Sequence, residues 1–135
     1  MPTINPSAPM ITTSMTEALR RALDVDAARY KLIAGNLANI DTPGYRTRDL
    51  DFRAELRRVA AEDYAGEGVS QPAAFHPVAR QVCGLIERPD RNNVSVERES
   101  LLLAETQMRF NLGIQLLKEQ FHTISLAINS GGTTS

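Results

Sequence analysis

N-L-A-N-I-D-T-P-G-Y, Asn36 to Tyr45, closes a long apolar-periodic stretch with a turn. Pro43 disfavours the α conformation at Thr42, and Thr42-Pro43-Gly44-Tyr45 carries proline at i+1 and glycine at i+2, the composition of a type II turn. A helix therefore ends here and the chain takes a sharp corner. Asn36 and Asn39 stand three apart on the last turns of that helix, so both amides project from one side. Asp41, just before the corner, belongs to the same block.

Upstream of the corner, Leu19, Leu23, Asp26, Tyr30, Ile33, Leu37 and Ile40 recur at alternating spacings of four and three, a heptad seam interrupted only at Asp26. A polar seam residue costs stability and can fix register, and Val25 beside it can share the seam. Ser14 as N-cap and Glu17 three residues later form a capping-box pattern, which places the helix at 14–40. Ala27, Ala28, Ala34, Gly35 and Ala38 give it a small-residue flank. Gly35 inside a helix costs about 1 kcal/mol relative to alanine, so it either admits a close helix or loosens the helix end. Residues 1–13, with Pro2, Pro6 and Pro9, read as a mobile arm that orders on a partner.

Downstream, Asp51 can cap a short helix over 51–63 whose Phe52, Leu56, Val59 and Ala60 share a face. Ala65 to Pro77 is a loop by its glycines and prolines, Val82 to Glu87 a short strand weakened by Gly84, and Pro89 to Asn93 a second turn cluster. Ser95 then caps the strongest helix of the chain, with Glu97 and Glu99 in its first turn near the positive end of the dipole. Leu103, Gln107, Phe110, Ile114, Leu117, Phe121, Ile124 and Ile128 step by four and three along it. From Ser95 to Ile128 it spans roughly 50 Å at about 1.5 Å per residue. Leu101, Leu102, Met108, Leu112 and Leu116 lie off that seam and widen the apolar surface. The expected fold is mainly α: long helices at 14–40 and 95–128 pair as a coiled-coil-like hairpin forming the core. A corner, a short helix and an irregular insert with a minor β segment fill 41–94, and 129–135 is a flexible tail. One hairpin leaves apolar surface over, which points to an assembly protein poorly ordered at its ends until partners arrive.

At 135 residues the chain is one domain's worth of sequence. A net charge of −1, 5% aromatics and no tryptophan argue against a nucleic-acid surface. Cys83 is the only cysteine, which excludes an internal disulfide and a thiolate metal cage. The first residues lack the basic and apolar regions of a cleaved signal, and no apolar run reaches membrane-spanning length. Chemistry has few candidates. Asp49 and Asp51 sit among Arg46, Arg48 and Arg53, where capping and solvated ion pairing explain them. His76 and His122 have no companion at ligand spacing, Cys83 fits as a small buried hydrophobe, and no phosphate loop or nucleophile elbow is present.

The corner block N-L-A-N-I-D-T-P-G-Y resembles the N-terminal signature of the flagellar rod and hook family of axial proteins. Its continuation R-T-R-D-L-D-F, Arg46 to Phe52, is similar to the proximal-rod members, as are N-N-V-S-V-E-R-E at Asn92 to Glu99 and the long helix ending near Ala127 and Ile128. Those members carry Asp-Gly before the paired asparagines, whereas Arg91 follows Asp90 here. The resemblance implies a structural, cofactor-free subunit of the axial drive shaft in the basal body. It would be exported by the flagellar type III apparatus without signal cleavage, and its terminal helices would lie innermost. Implied partners are other rod subunits, the membrane-ring and rod junction proteins, and further copies of the chain. Asn36, Asn39, Asp41, Thr42, Pro43, Gly44 and Tyr45 are, by that resemblance, conformational and packing residues. A soluble adaptor binding one partner by helix-in-groove contacts is the alternative.

Overall fold

The structure is a computed structural model that describes residues 14–65 and 76–131. The arm expected at 1–13, most of the loop expected at 65–77 and the end of the expected tail lie outside the described residues. Helix α1 runs Ser14–Ala38, strand β1 Arg48–Asp49, helix α2 Phe52–Ala65, strand β2 Arg80–Gln81 and helix α3 Val96–Ser130. The fold is mainly helical, with α1 and α3 packed along each other and α2 against α1. The hairpin is antiparallel: Asn36 meets Glu99 near one end, Asp26 meets Arg109 further along, and Leu23 lies against Gly113.

The ends of the elements follow the expected local chemistry. Ser95 caps α3, its Oγ accepting from Arg98 N at 3.2 Å. Asp51 Oδ1 accepts from Ala54 N at 3.0 Å and caps α2. At the corner Gly44 has φ 74°, and Tyr45 N donates to Thr42 O at 3.2 Å, closing the turn that Pro43 and Gly44 dictate. Ser14 falls within α1, and the Glu17 carboxylate accepts from Arg20 and Arg21 one turn on.

The small sheet is displaced from its expected place. Arg48 pairs with Gln81 and Asp49 with Arg80, antiparallel, so the strand stops where one was expected to begin at Val82. Val82 N still donates to Thr47 O, but Gly84 at φ 78° bends the chain away from the ladder. In α2, Val59 is buried while Ala60 is exposed, and Glu55 turns inward in its place.

The helix faces differ most. Of the α1 seam, Ile33 and Asp26 are buried as expected with Val25 beside them, but Tyr30 is 45% exposed and Asn36 takes an inward position. On α3, one expected ridge, Leu103, Leu117 and Ile124, is partly covered. Of the other, Gln107 is exposed, Ile114 partly covered, Phe121 50% and Ile128 59% exposed; Phe110, on the first ridge, is 37% exposed. The second inward ridge is instead Glu99, Thr106, Gly113 and Gln120, seven residues apart. The cause is chemical. Asn36 and Asp26 on α1 require polar partners, and Thr106 and Gly113 are small enough for close approach, so α3 turns its polar and small edge inward. Among the described residues, buried apolar side chains are correspondingly few: Val25, Ile33, Leu50, Val59 and Val94.

Candidate functional site

The last turn of a helix leaves carbonyls without partners, and here the chain meets that demand with amide side chains. Asn92, fully buried, donates from Nδ2 to Asn39 O at 2.9 Å and Thr42 O at 2.8 Å, while its Oδ1 accepts from Val94 N. Asn93 Oδ1 accepts from Thr47 N at 2.7 Å, and Thr47 Oγ1 donates back to Asn93 O. Gly44 N donates to Asp90 O at 2.8 Å, and the Arg88 guanidinium donates to Ile40 O. The two turn clusters are thus stitched together. Arg91 carries the strain of this closure at φ 65°, a left-handed conformation that glycine adopts freely.

Asn36 is the node between the corner and α3. Its Nδ2 donates to Arg48 O at 2.8 Å and to Glu99 Oε2 at 2.9 Å. Its Oδ1 accepts from Arg48 N at 3.0 Å and Tyr45 Oη at 3.2 Å. All four hydrogen-bonding positions of the amide are used, across three parts of the chain. Asn39, its expected companion, works locally: it donates to Gly35 O and accepts from Thr42 Oγ1. Asp41, Thr42, Pro43 and Gly44 are exposed around it, while Leu19, Leu23 and Leu37 are partly covered along α1.

A charged ladder continues from the node. Glu99, fully buried, is held by Arg98. Arg98 also reaches Asp49, which Arg29 of α1 grips through both oxygens at 3.0 and 3.1 Å. Further along, Arg109 contacts Asp26 at 3.4 Å, pairs with Glu105 and lies 4.2 Å over the Phe52 ring. Burial pushes the Asp26 carboxyl above its ordinary value, and the Arg109 charge opposes this only in part. Burial acts the same way on Asp49, but there the Arg29 hydrogen bonds outweigh it and the carboxyl is held below its ordinary value.

The signs predict a pH profile. Asp49, depressed in the folded chain, contributes stability that is fully present above the ordinary aspartate value and is lost as pH falls through the folded one. Asp26, raised, has the opposite sign: its favourable contribution is present below the ordinary value and lost as pH rises through the folded one. Asp49→Asn should therefore cost about 1–2 kcal/mol at neutral pH and flatten the acid loss of stability below about pH 4, read by urea melts across pH.

Asp49 is thus a largely covered structural ion rather than a solvated one, and Cys83 is exposed rather than buried. His76 and His122 are exposed too. Among the described residues no group of three or more histidine, cysteine, aspartate or glutamate side chains could hold a metal, and no helix is long and apolar enough to cross a membrane. Sequence reasoning missed Glu99 as the partner of Asn36, the Arg29, Asp49 and Arg98 cluster, and Gly113. The paired asparagines at 92 and 93 were a usable signal, since two amides beside a helix start match the carbonyls left open by a helix end.

Fold and corner together define a helical packing module: a long hairpin held in register by buried polar contacts, with apolar surface left on its outer faces. No family model matches the chain. It is 30% identical over 125 residues to the flagellar basal body rod protein FlgB of Salmonella typhimurium, covering 83% of this chain and 91% of that protein. To the FlgB of Cereibacter sphaeroides it is 32% identical over 114 residues, 80% of this chain and 88% of the relative. For Aquifex aeolicus FlgB the figures are 35% over 91 residues, 63% and 73%. The chain belongs to the FlgB family of flagellar basal body rod proteins.

Proposed function

We propose that this chain is a structural subunit of the proximal rod of the bacterial flagellum, assembling into the shaft that carries torque from the motor to the hook and filament. The observation that carries the reading is the outer surface of α3. Leu101, Met108, Leu112, Leu116 and Leu126 are exposed along one helix, together with Phe121 and Ile128. So many exposed apolar side chains, on two sides of one helix, call for neighbours. In this reading Phe110, Ile114, Leu117, Phe121, Ile124 and Ile128 meet other rod subunits or further copies of the chain. Tyr30, whose ring is left open by α3, does the same from α1. The corner residues Asn36 to Tyr45 set the direction in which the chain leaves the inner helix. The rod lies in the periplasmic space, the export apparatus delivers the chain without signal cleavage, and the rod junction at the membrane ring is a further partner.

Gly35 supplies a specific test. A Cβ built there meets nothing within 4 Å in this chain, so the glycine is not explained by the hairpin itself. Gly35→Leu should leave the helical circular dichroism of the purified chain unchanged or slightly increased. In cells it should abolish rod assembly and swimming by blocking close approach of a neighbouring helix. Normal rods from that variant would refute a packing role for Gly35. The broader reading is tested by deleting the coding region: loss of motility and of rods in purified basal bodies, restored by the intact gene, is expected, and a motile deletion strain would overturn it.

A further inference from the structure

Between the first turn of α2, the run Val78 to Val82 and the arginines of the hairpin lies a cavity of about 560 Å³. Leu50, Phe52, Val78 and Val82 give it an apolar lining. Five arginines and three carboxylates line it. Arg29 and Arg98 are taken by Asp49, Arg109 by Asp26 and Glu105, and Glu55 pairs with Arg58. Asp51 caps α2. Arg53 and Arg80 line the same cavity, both exposed, and their guanidinium groups have no hydrogen-bond or ion-pair partner among the described residues.

Two further facts shape the occupant. Strand β2 pairs only with β1, so its other edge has no ladder partner among the described residues. The cavity also exceeds what a simple anion fills, and along one wall Val78, Arg80 and Val82, two residues apart, alternate apolar and cationic side chains beside the carboxylates of Asp49, Asp51 and Glu55. An extended peptide matches this, because residues two apart in a strand share a face and can present carboxylates on one side and apolar groups on the other.

We propose that this cavity receives an extended acidic segment of a partner protein, its carboxylates gripped by Arg53 and Arg80 and its apolar side chains resting against Phe52 and Val78. The inference stands on the cavity of this chain alone and does not depend on the rod reading. An incoming carboxylate gains a charge-assisted, bidentate contact at each guanidinium group, neither of which has to leave another partner to make it.

The test uses the full chain and a capped pentapeptide alternating glutamate and valine, titrated by calorimetry at low salt. Saturable binding is expected, weakened roughly tenfold or more in the Arg53→Glu, Arg80→Glu double variant and weakened by added salt. The Arg53→Lys, Arg80→Lys variant should retain part of the affinity. Circular dichroism matching the parent chain is expected for both, since neither guanidinium group supports the fold; if the glutamate variant unfolds, the Arg53→Gln, Arg80→Gln pair carries the comparison. Absence of binding, equal binding of the glutamine-valine counterpart, unchanged affinity in the double variants, or displacement by equimolar inorganic phosphate would each overturn the proposal.

Discussion

Asn36→Ala should lower the unfolding free energy of the chain by about 2–4 kcal/mol in urea denaturation followed by circular dichroism, the size of breaking a buried network that includes a charge. The amide is 1% exposed and bonds the backbone of Arg48 in both directions, the hydroxyl of Tyr45 and the carboxylate of Glu99. Alanine would strip the Glu99 oxygen of its amide donor and release the corner from α3 at once. Asn39→Ala is the control. That side chain is only partly covered and bonds within its own turn, so about 0.5–1 kcal/mol is expected. Equal losses at the two positions would show that Asn36 is not the node.

Gly113→Leu should be comparably severe, at about 3 kcal/mol. Even a Cβ at position 113 would stand 2.8 Å from Leu23 Cδ2 and 3.4 Å from its Cγ, so a leucine there must push α1 and α3 apart. Gly113→Ala is expected to be close to neutral. The nearest atom is the far end of a flexible side chain, and the helix regains about 1 kcal/mol of propensity on losing a glycine. Combining Gly113→Leu with Leu23→Ala should recover much of the lost stability, because the two side chains contend for one space. A double variant no better than the single one would place the strain elsewhere.

These two residues also mark how far the sequence could be read. The helices, the caps at Ser95 and Asp51 and the corner at Pro43 and Gly44 are local events, set by residues within a turn of one another, and all were legible. The face that α3 turns toward α1 was not. Heptad spacing offers several ridges on a helix that is apolar over much of its circumference, and the largest side chains drew the choice toward Ile114, Phe121 and Ile128. The hairpin selects otherwise, because a buried Asn36 or Asp26 without a partner costs more than leaving a phenylalanine half exposed. Partners such as Glu99 for Asn36 or Arg109 for Asp26 lie far away along the chain, and spacing rules do not reach that far. Glu99 had a sufficient local explanation in the helix dipole, which concealed its longer-range role. The expected strand at Val82 failed for a related reason: Gly84 decides where the ladder ends, while Arg48 and Asp49 decide where it begins.

The separation of those partners has a consequence for how the chain acquires its shape. Asn36 and Glu99 are 63 residues apart, and Asp26 and Arg109 are 83 apart. Closing loops of this length has an entropic cost that must be met before the contacts inside the loop can offset it. The first long helix therefore finds its mate only in the last. Pairing of the two long helices waits until the sequence from Asp26 to Arg109 is free to close on itself. Helix formation is local and early while hairpin closure is long-range and late, so the topology itself acts as the timer of folding.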